Sequence, residues 1–567
     1  MATSTQGGGP RDGQNIKLDG FVPWPEAFRR LYREKGYWED LSIADVFERL
    51  AADHPDREAI YDGTRRTSYG QLWAASGRLA VGFVQLGFKP SDRVVFQLPN
   101  TAEFIIAFLA LMRIGVIPVM ALPPHRRHEI QHFVLGTQAV GLFIAPRLGD
   151  FDYRAMAEEI RPNAPTLRHV LVLGEAQPGQ VSIPELIARP VADAEVARVL
   201  APLRPHGDDV ALILLSGGTT ALPKLIARTH NDYVYNFKQC GRVAGMDAGT
   251  VMLAVLPMGH NAGLASPGAL AALAHGGRVV IAPNRDIETS LKLIEQERVT
   301  ASLLTPPLAI GWLDSPLIDR FDLSSLKNVV CGGARMPPEL RAKFSQRLGC
   351  IGQEGYGNAE GLLSFVPLDD TPEHLLESSG KPICPDDEIK VVDDFGREVP
   401  DGEAGELLTR GPYTIRGYFN NPDANATAFT DDGFYCTGDV VVKRGRYIYH
   451  QGRKKELINR GGEKISCSEV EDHILAHPSV ANVVLVGMPD RKYGERACAF
   501  VILREHCKLT LEELNAFLMT REIAKFKLPE RMELVESFPL SPAGKVLRRQ
   551  LRETIEAKIE DEKGSEG

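Results

Sequence analysis

Three short stretches of the chain carry residue types suited to a nucleoside triphosphate. An apolar run, ALILL, delivers Ser216, Gly217, Gly218, Thr219 and Thr220, followed by Pro223 and Lys224. Glycines let the backbone approach phosphate oxygens, hydroxyls donate to them, and a lysine offsets their charge. This is not a Walker A loop, because the G-K-[ST] ending is missing. The second stretch, Tyr356-Gly357-Asn358-Ala359-Glu360-Gly361, offers an aromatic face for a base and a carboxylate for a metal ion. The third, Tyr435-Cys436-Thr437-Gly438-Asp439, sets an acid after a tight turn, as ribose diols are often held. Taken singly, each of these is more often an ordinary turn. Their order along one chain carries the argument.

The elements that must position them read as α/β. Apolar runs such as DRVVFQLP, GTVMLAVLP, GRVVIAP and LKNVVCGGA alternate with helical patterns, which predicts layers with mostly parallel sheets. After about residue 390 the texture changes to short strands and turns, and a compact α+β segment follows the charged, glycine-bearing QGRKKELINRGGEK. The expected organisation is a tail over 1–15 and a large domain over 16–451, made of layered α/β subdomains and a β-rich one. A hinge over 452–455, a small mobile α+β domain over 456–556 and a second tail over 557–567 complete it. The most apolar stretch, 104–122, is broken by Arg113, Gly115 and Pro118, and reads as a buried helix running into a buried strand rather than a membrane span.

Composition excludes several classes. The 567 residues are 44% hydrophobic and 25% charged, an ordinary globular balance. The net charge of −9 has no basic block, which argues against a nucleic-acid partner. Eight cysteines without metal-ligand spacing, and a polar N-terminus without an apolar leader, predict reduced thiols in a cytoplasmic protein.

In sequence order, SGGTTALPK, YGNAEG, TGD, GRKKELINRGGEK and SPAGK resemble the core-motif series of the ANL superfamily: acyl-CoA synthetases, peptide-synthetase adenylation domains and luciferases. The likeness spans residues 40–555. The stretches KLIARTHNDYVY, PMGHN, LLTRGPYTIRGY and INRGGEK look like the stand-alone aryl-acid–AMP ligases of siderophore assembly. The resemblance implies ATP and Mg2+ as cofactors and two half-reactions: a carboxylate attacks the α-phosphorus of ATP, and a phosphopantetheine thiol then attacks the acyl-adenylate. It implies that Lys545 supplies charge at the phosphorus, that Asp439 and Arg453 hold the ribose, and that Glu360 and Thr220 hold magnesium. Thr219 and Lys224 would meet the outer phosphates, while Tyr356 with Gly357 would lie near adenine. Gly332, Gly333 and Ala334 would line the slot between purine and acyl group. Lys455 falls at the hinge, and loop Arg460 to Lys464 would face the pantetheine tunnel once the small domain has swung.

The stretch from Leu256 to Pro267 should end in the acid pocket, with His260, Asn261, Ala262 and Ser266 at the substrate. Asn261 matches the asparagine of the aryl-acid branch, a neutral amide suited to an ortho hydroxyl or ring nitrogen. That branch generally follows it with an aromatic residue and proline, whereas this chain has Ala262 and Gly263, which suggests an enlarged pocket. Ser266 suits a meta hydroxyl. The candidate acids are 2,3-dihydroxybenzoate, salicylate, and larger or heteroaromatic acids such as hydroxypicolinate, substituted hydroxyanthranilate, quinaldate or quinoxaline carboxylate. The chain has no room for a carrier domain after Lys545, so the expected acceptor is an aryl carrier protein in trans. The alternatives are an aryl-CoA ligase using free CoA, and a non-catalytic nucleotide-binding protein that has kept the fold. One departure from the superfamily is Ala221, where the phosphate loop usually has glycine.

Overall fold

A computed structural model describes residues 18–216, 222–461, 463–521, 523–541 and 544–565. In the strand Arg93–Gln97, Val94 and Phe96 enter one apolar cluster and Val95 another. Both faces of that sheet are therefore covered, as a continuous apolar run requires. A second sheet splits the same way: Val279 and Ile281 face the first cluster, and Val280 faces a third. The first cluster also takes in residues of helices Tyr69–Gln85, Ala102–Arg113 and His230–Val243, which therefore lie between the two sheets. Helices such as Arg127–Thr137 and Ile287–Glu297 cover the outer faces. The expected layering is thus realised as α/β/α/β/α.

The two sheets have seven and nine strands, parallel through their centres, with antiparallel pairs at edges. A four-stranded antiparallel sheet follows, built from Glu388–Val392, Ala404–Arg410, Tyr435–Arg444 and Tyr447–Arg453. Beyond it lies a smaller α+β unit around the long hairpin Val480–Asp490 and Gly494–Leu503. Cross-strand pairing of Asp439 with Arg453 carries the four-stranded sheet two residues into the 452–455 connection, and Lys454–Glu456 is a single 3-10 turn.

The stretch 104–122 forms the buried helix Ala102–Arg113 and the buried strand Ile117–Met120. No described helix is long and apolar enough to cross a membrane. The expected tail from residue 557 is corrected: the last helix runs Arg548–Ser565. Leu551 and Ile555 are buried against the long hairpin, Ile559 packs beside them, and Arg531–Glu562 and Lys558–Glu533 ion pairs hold the helix down.

The run Arg228 to Asp232 is a packing hub. Thr229 and Asp232 form a capping box at the start of helix His230–Val243. Arg228 Nε lies 2.6 Å from Asp232 Oδ1, with both side chains fully buried. His230 Nδ1 accepts from the Ile43 amide at 3.1 Å, and Asn231 Nδ2 donates to Asp40 and Asp208. Arg228 Nη1 donates to the Ala359 carbonyl at 3.0 Å, which ties the hub to the loop bearing Glu360. Removing one partner strands a buried charge, so Asp232→Ala should cost about 3–5 kcal/mol. Arg298→Ala, which breaks the exposed pair with Asp322, should cost far less. Chemical denaturation of both variants checks the contrast.

Candidate active site

The chemistry-bearing residues collect at the carboxyl ends of the parallel strands, where open α/β sheets form their crevices. Ser216 follows Val210–Leu215, Gly332 ends Asn328–Gly332, Tyr356 and Gly357 end Ile351–Gly357, and His260 follows Val251–Ala254. The base of the phosphate loop is closed by Ser216 N–H to the Lys224 carbonyl at 3.0 Å and Lys224 N–H to Ser216 Oγ at 2.9 Å. Gly217, Gly218, Thr219, Thr220 and Ala221 lie outside the described residues.

Asp439 is buried at one end of the cleft. Tyr356 Oη donates to its Oδ2 at 2.7 Å, and Arg453 Nε lies 2.8 Å from Oδ1 across the strand pair. Burial pushes this carboxyl up, but His450, Arg453 and Tyr356 outweigh it and hold the group below the usual carboxylate range. Oδ1 is buried and, despite the nearby guanidinium, has no aligned donor among the described residues. A carboxylate held ionised has lone pairs beyond those its neighbours use, which a ribose diol could engage. The Tyr356 ring lies 5.2 Å from the His450 ring.

Glu360 is buried, and its Oε1 accepts from Tyr418 Oη at 2.9 Å. Lys224 Nζ sits 4.4 Å from the centre of the Tyr418 ring, so this one tyrosine joins the acid to the phosphate-loop lysine. Among the described residues no three His, Cys, Asp or Glu side chains form a metal cage. A single anchored carboxylate beside a phosphate loop fits magnesium, which is usually held by one or two carboxylates, phosphate oxygens and water.

Lys545 enters from the C-terminal unit on a turn closed by Ser541 N–H to its carbonyl at 2.7 Å and by its own N–H to Ser541 Oγ at 3.0 Å. Its Cε passes 3.4 Å from where a side chain on Gly333 would begin, and Gly333 has φ +91°, which favours glycine. Burial, then the Arg453 charge, push the ammonium below the ordinary lysine value, while Asp439, Glu360 and Glu456 pull the other way. His260 is held neutral: burial and then the Lys545 charge lower it to about 4. Its Nδ1 accepts from the Ala262 amide at 3.2 Å, so the proton sits on Nε2. Neutral His260 is therefore a hydrogen-bond donor that does not compete with Lys545 for charge.

Ion pairs fasten the C-terminal unit in this position: Arg335 to Asp472, Arg504 to Asp314 at 3.1 Å, and Arg521 to Glu339 at 3.3 Å. Lys455 is exposed on the connecting turn. Arg460 faces away from the cleft chemistry, paired with Glu530 at 2.9 Å.

The acid-pocket stretch begins the short helix Asn261–Ala265, which His260 caps. Tyr233 Oη donates to Asn261 Oδ1 at 2.9 Å, and Asn236 Nδ2 donates to Ser266 Oγ at 2.9 Å. The Ser266 hydroxyl is thus already engaged by a protein donor. Ala262 is half-buried at the edge of the main apolar cluster, whereas Gly263 is packed against backbone. A side chain on Gly263 would begin 2.3 Å from the Pro257 carbonyl oxygen. The reading of Gly263 as substrate space is therefore corrected, because backbone occupies the place a side chain would take. Tyr233, Asn236, Tyr418 and the Arg335–Asp472 pair escaped sequence reading. Of these, only the tyrosines sat in stretches already marked, and no spacing signalled their partners.

Asp439, the segment closed by Ser216 and Lys224, and Lys545 passing Gly333 are the features expected of an adenylate-forming enzyme. Residues 47–419 match the AMP-binding enzyme family and 469–545 its AMP-binding enzyme C-terminal domain. The 2,3-dihydroxybenzoate-AMP ligase of Bacillus subtilis is 45% identical over 96% of this chain and 99% of its own. The 2-hydroxy-7-methoxy-5-methyl-1-naphthoate–CoA ligase of Streptomyces carzinostaticus is 43% identical over 94% and 96%. The apo structure of MbtA from Mycobacterium smegmatis superimposes with a TM-score of 0.72 at 38% identity, covering 95% of this chain and all of that one. The chain belongs to the AMP-binding enzymes, in their aryl-acid–AMP ligase branch.

Two substitutions separate binding from positioning. Asp439→Ala should raise the KM for ATP by roughly 10- to 100-fold, the worth of charged hydrogen bonds at about 1.5–3 kcal/mol. Gly333→Val should instead displace Lys545 and lower kcat for adenylate formation more than it raises the KM for ATP. Steady-state pyrophosphate exchange reads both.

Proposed function

We propose that the protein activates an aromatic carboxylic acid as aryl-AMP and transfers the aryl group to the phosphopantetheine thiol of a carrier protein acting in trans. The observation that carries the first half is Lys545 lying in one cleft with Asp439, Glu360 and neutral His260. The acid's carboxylate attacks the α-phosphorus and pyrophosphate leaves. Asp439, with Arg453, holds the ribose, while Tyr356 and Gly357 border the base. Lys224, with Ser216 and the glycines and threonines of its loop, receives the outer phosphates. Lys545 Nζ offsets the charge that builds around the phosphorus, and His260 Nε2–H donates beside it. Magnesium, held by Glu360 and Thr220 when bound, would neutralise the phosphate oxygens. Gly332, Gly333 and Ala334 flank the acyl–purine slot.

Splitting thioester formation in two replaces a poor leaving group with AMP. In the second half the small domain turns about Lys455, and loop 460–464 replaces Lys545 at the cleft. The ion pairs of Arg335, Arg504 and Arg521 break in that step. Eight unpaired cysteines support a reducing, cytoplasmic setting.

The acid is of the salicylate or 2,3-dihydroxybenzoate type, or a larger or heteroaromatic one. Ala262 supports the larger class, and so does the naphthoate named for the Streptomyces relative. That relative is named a CoA ligase, which favours free CoA as the second reading for the acceptor. Thioester formation with CoA and with a loaded aryl carrier separates the two.

Lys545→Ala should suppress adenylate formation at least about 100-fold while sparing thioester formation from supplied aryl-AMP. Lys455→Pro should do the reverse, because proline fixes φ where the connection must rotate. Equal loss of both half-reactions in either variant contradicts the assignment. Ala262→Tyr should cost bicyclic acids more than about 10-fold in kcat/KM and leave salicylate nearly unchanged. A panel that keeps its wild-type order in this variant contradicts the enlarged pocket.

A further inference from the structure

Helix His230–Val243 packs along the segment Asn261 to Ser266, which the proposed function places at the acid. Tyr233 and Asn236, one turn apart, each hold a residue of the facing segment: Tyr233 holds Asn261, and Asn236 holds Ser266. An asparagine amide can present either end to a ligand, so its use depends on what fixes its orientation. Tyr233 is completely buried and Asn261 is 6% exposed. The Tyr233 hydroxyl is kept protonated, since burial raises it far above an ordinary phenol. The Arg228 guanidinium, 5.3 Å from the ring centre, works against that without reversing it. A buried phenol hydrogen must find an acceptor, and it finds Asn261 Oδ1 at 2.9 Å. Flipping the amide would turn its N–H toward the phenol oxygen and leave the phenol hydrogen without its acceptor, at a cost of about 1–3 kcal/mol.

We propose that Tyr233 is a positioning residue that locks Asn261 with its Nδ2 toward the acid. The pocket then selects aromatic acids bearing a hydrogen-bond acceptor ortho to the carboxylate over acids bearing only a donor there. This rests on the aryl-acid reading above. A hydroxyl or phenolate oxygen and a ring nitrogen are acceptors. An aryl amine is a poor one, because its lone pair is drawn into the ring and its hydrogens would face those of Nδ2. Ser266, held by Asn236, lies farther along the same segment and is already engaged by that donor.

The test uses the full-length protein and pyrophosphate exchange with two matched sets of acids. One is benzoate, salicylate, picolinate and anthranilate. The other is 2-naphthoate, 3-hydroxy-2-naphthoate, quinaldate and 3-amino-2-naphthoate. In the set that fits the pocket, wild type should favour the hydroxy acid and the ring-nitrogen acid over the amino acid by at least about 10-fold in kcat/KM. Tyr233→Phe frees the amide and should shrink that ratio at least about 5-fold, with the unsubstituted acid unchanged. Asn261→Asp replaces the donor with an acceptor and should reverse the preference toward the amino acid. A merely structural Tyr233 would lower all four acids together, so a constant ratio in Tyr233→Phe overturns the proposal, as does a wild type that prefers the amino acids. Exchange with aliphatic acids alone, or with none, overturns the aryl-acid reading itself and the proposal with it.

Discussion

One ammonium group, Lys545 Nζ, has to be taken out of water and delivered to a cleft formed by another part of the chain. Desolvating a cation is costly unless charge and hydrogen bonds compensate it. Here Asp439, Glu360 and Glu456 compensate, Arg453 opposes, and His260 stays neutral instead of adding a second positive charge. The rest of the site follows from accommodating that group. Gly333 lacks a side chain where Lys545 passes, and the Ser541 turn presents the lysine at the right height. The Arg335, Arg504 and Arg521 pairs hold the C-terminal unit in place.

The opposite wall of the cleft obeys a different constraint, the satisfaction of buried polar groups. Arg228, Asp232, Tyr233, Asn236 and Asn261 are all buried or nearly so, and each is hydrogen-bonded by a neighbour. Such networks rigidify what they touch, because moving one member breaks bonds its neighbours depend on, although Arg228 Nη2 and Asn236 Oδ1 lack partners among the described residues. One helix, His230–Val243, thereby joins the N-terminal packing hub to the acid pocket. Tyr418 does the same for Glu360 and Lys224.

Much of this was legible in the sequence because the chemistry is clustered. Ser216 to Lys224, Tyr356 to Glu360, and Lys545 in its turn carry their signals within a few residues, and the alternation of apolar strands and helices announces the layers. The partners that orient these groups were not legible. Tyr233 reaches 28 residues to Asn261, Tyr418 58 residues to Glu360, and Arg335 137 residues to Asp472. No local pattern encodes such pairs. Gly263 misled for a related reason: a missing side chain reads as space, yet backbone occupies it. The acidic end of the chain read as a tail because the partners of Ile555, Lys558 and Glu562 lie on distant strands.

The arrangement with Lys545 in the cleft is, on this account, the adenylate-forming one, and the domain must leave it for thioester formation. The direct test locks it. Cysteines replacing Glu339 and Arg521, in a background with Cys436 and Cys507 changed to serine, would be joined by a short bis-maleimide. The locked protein should keep acid-dependent pyrophosphate exchange near the unlocked rate and lose thioester formation. Loss of exchange with thioester transfer retained would contradict that assignment.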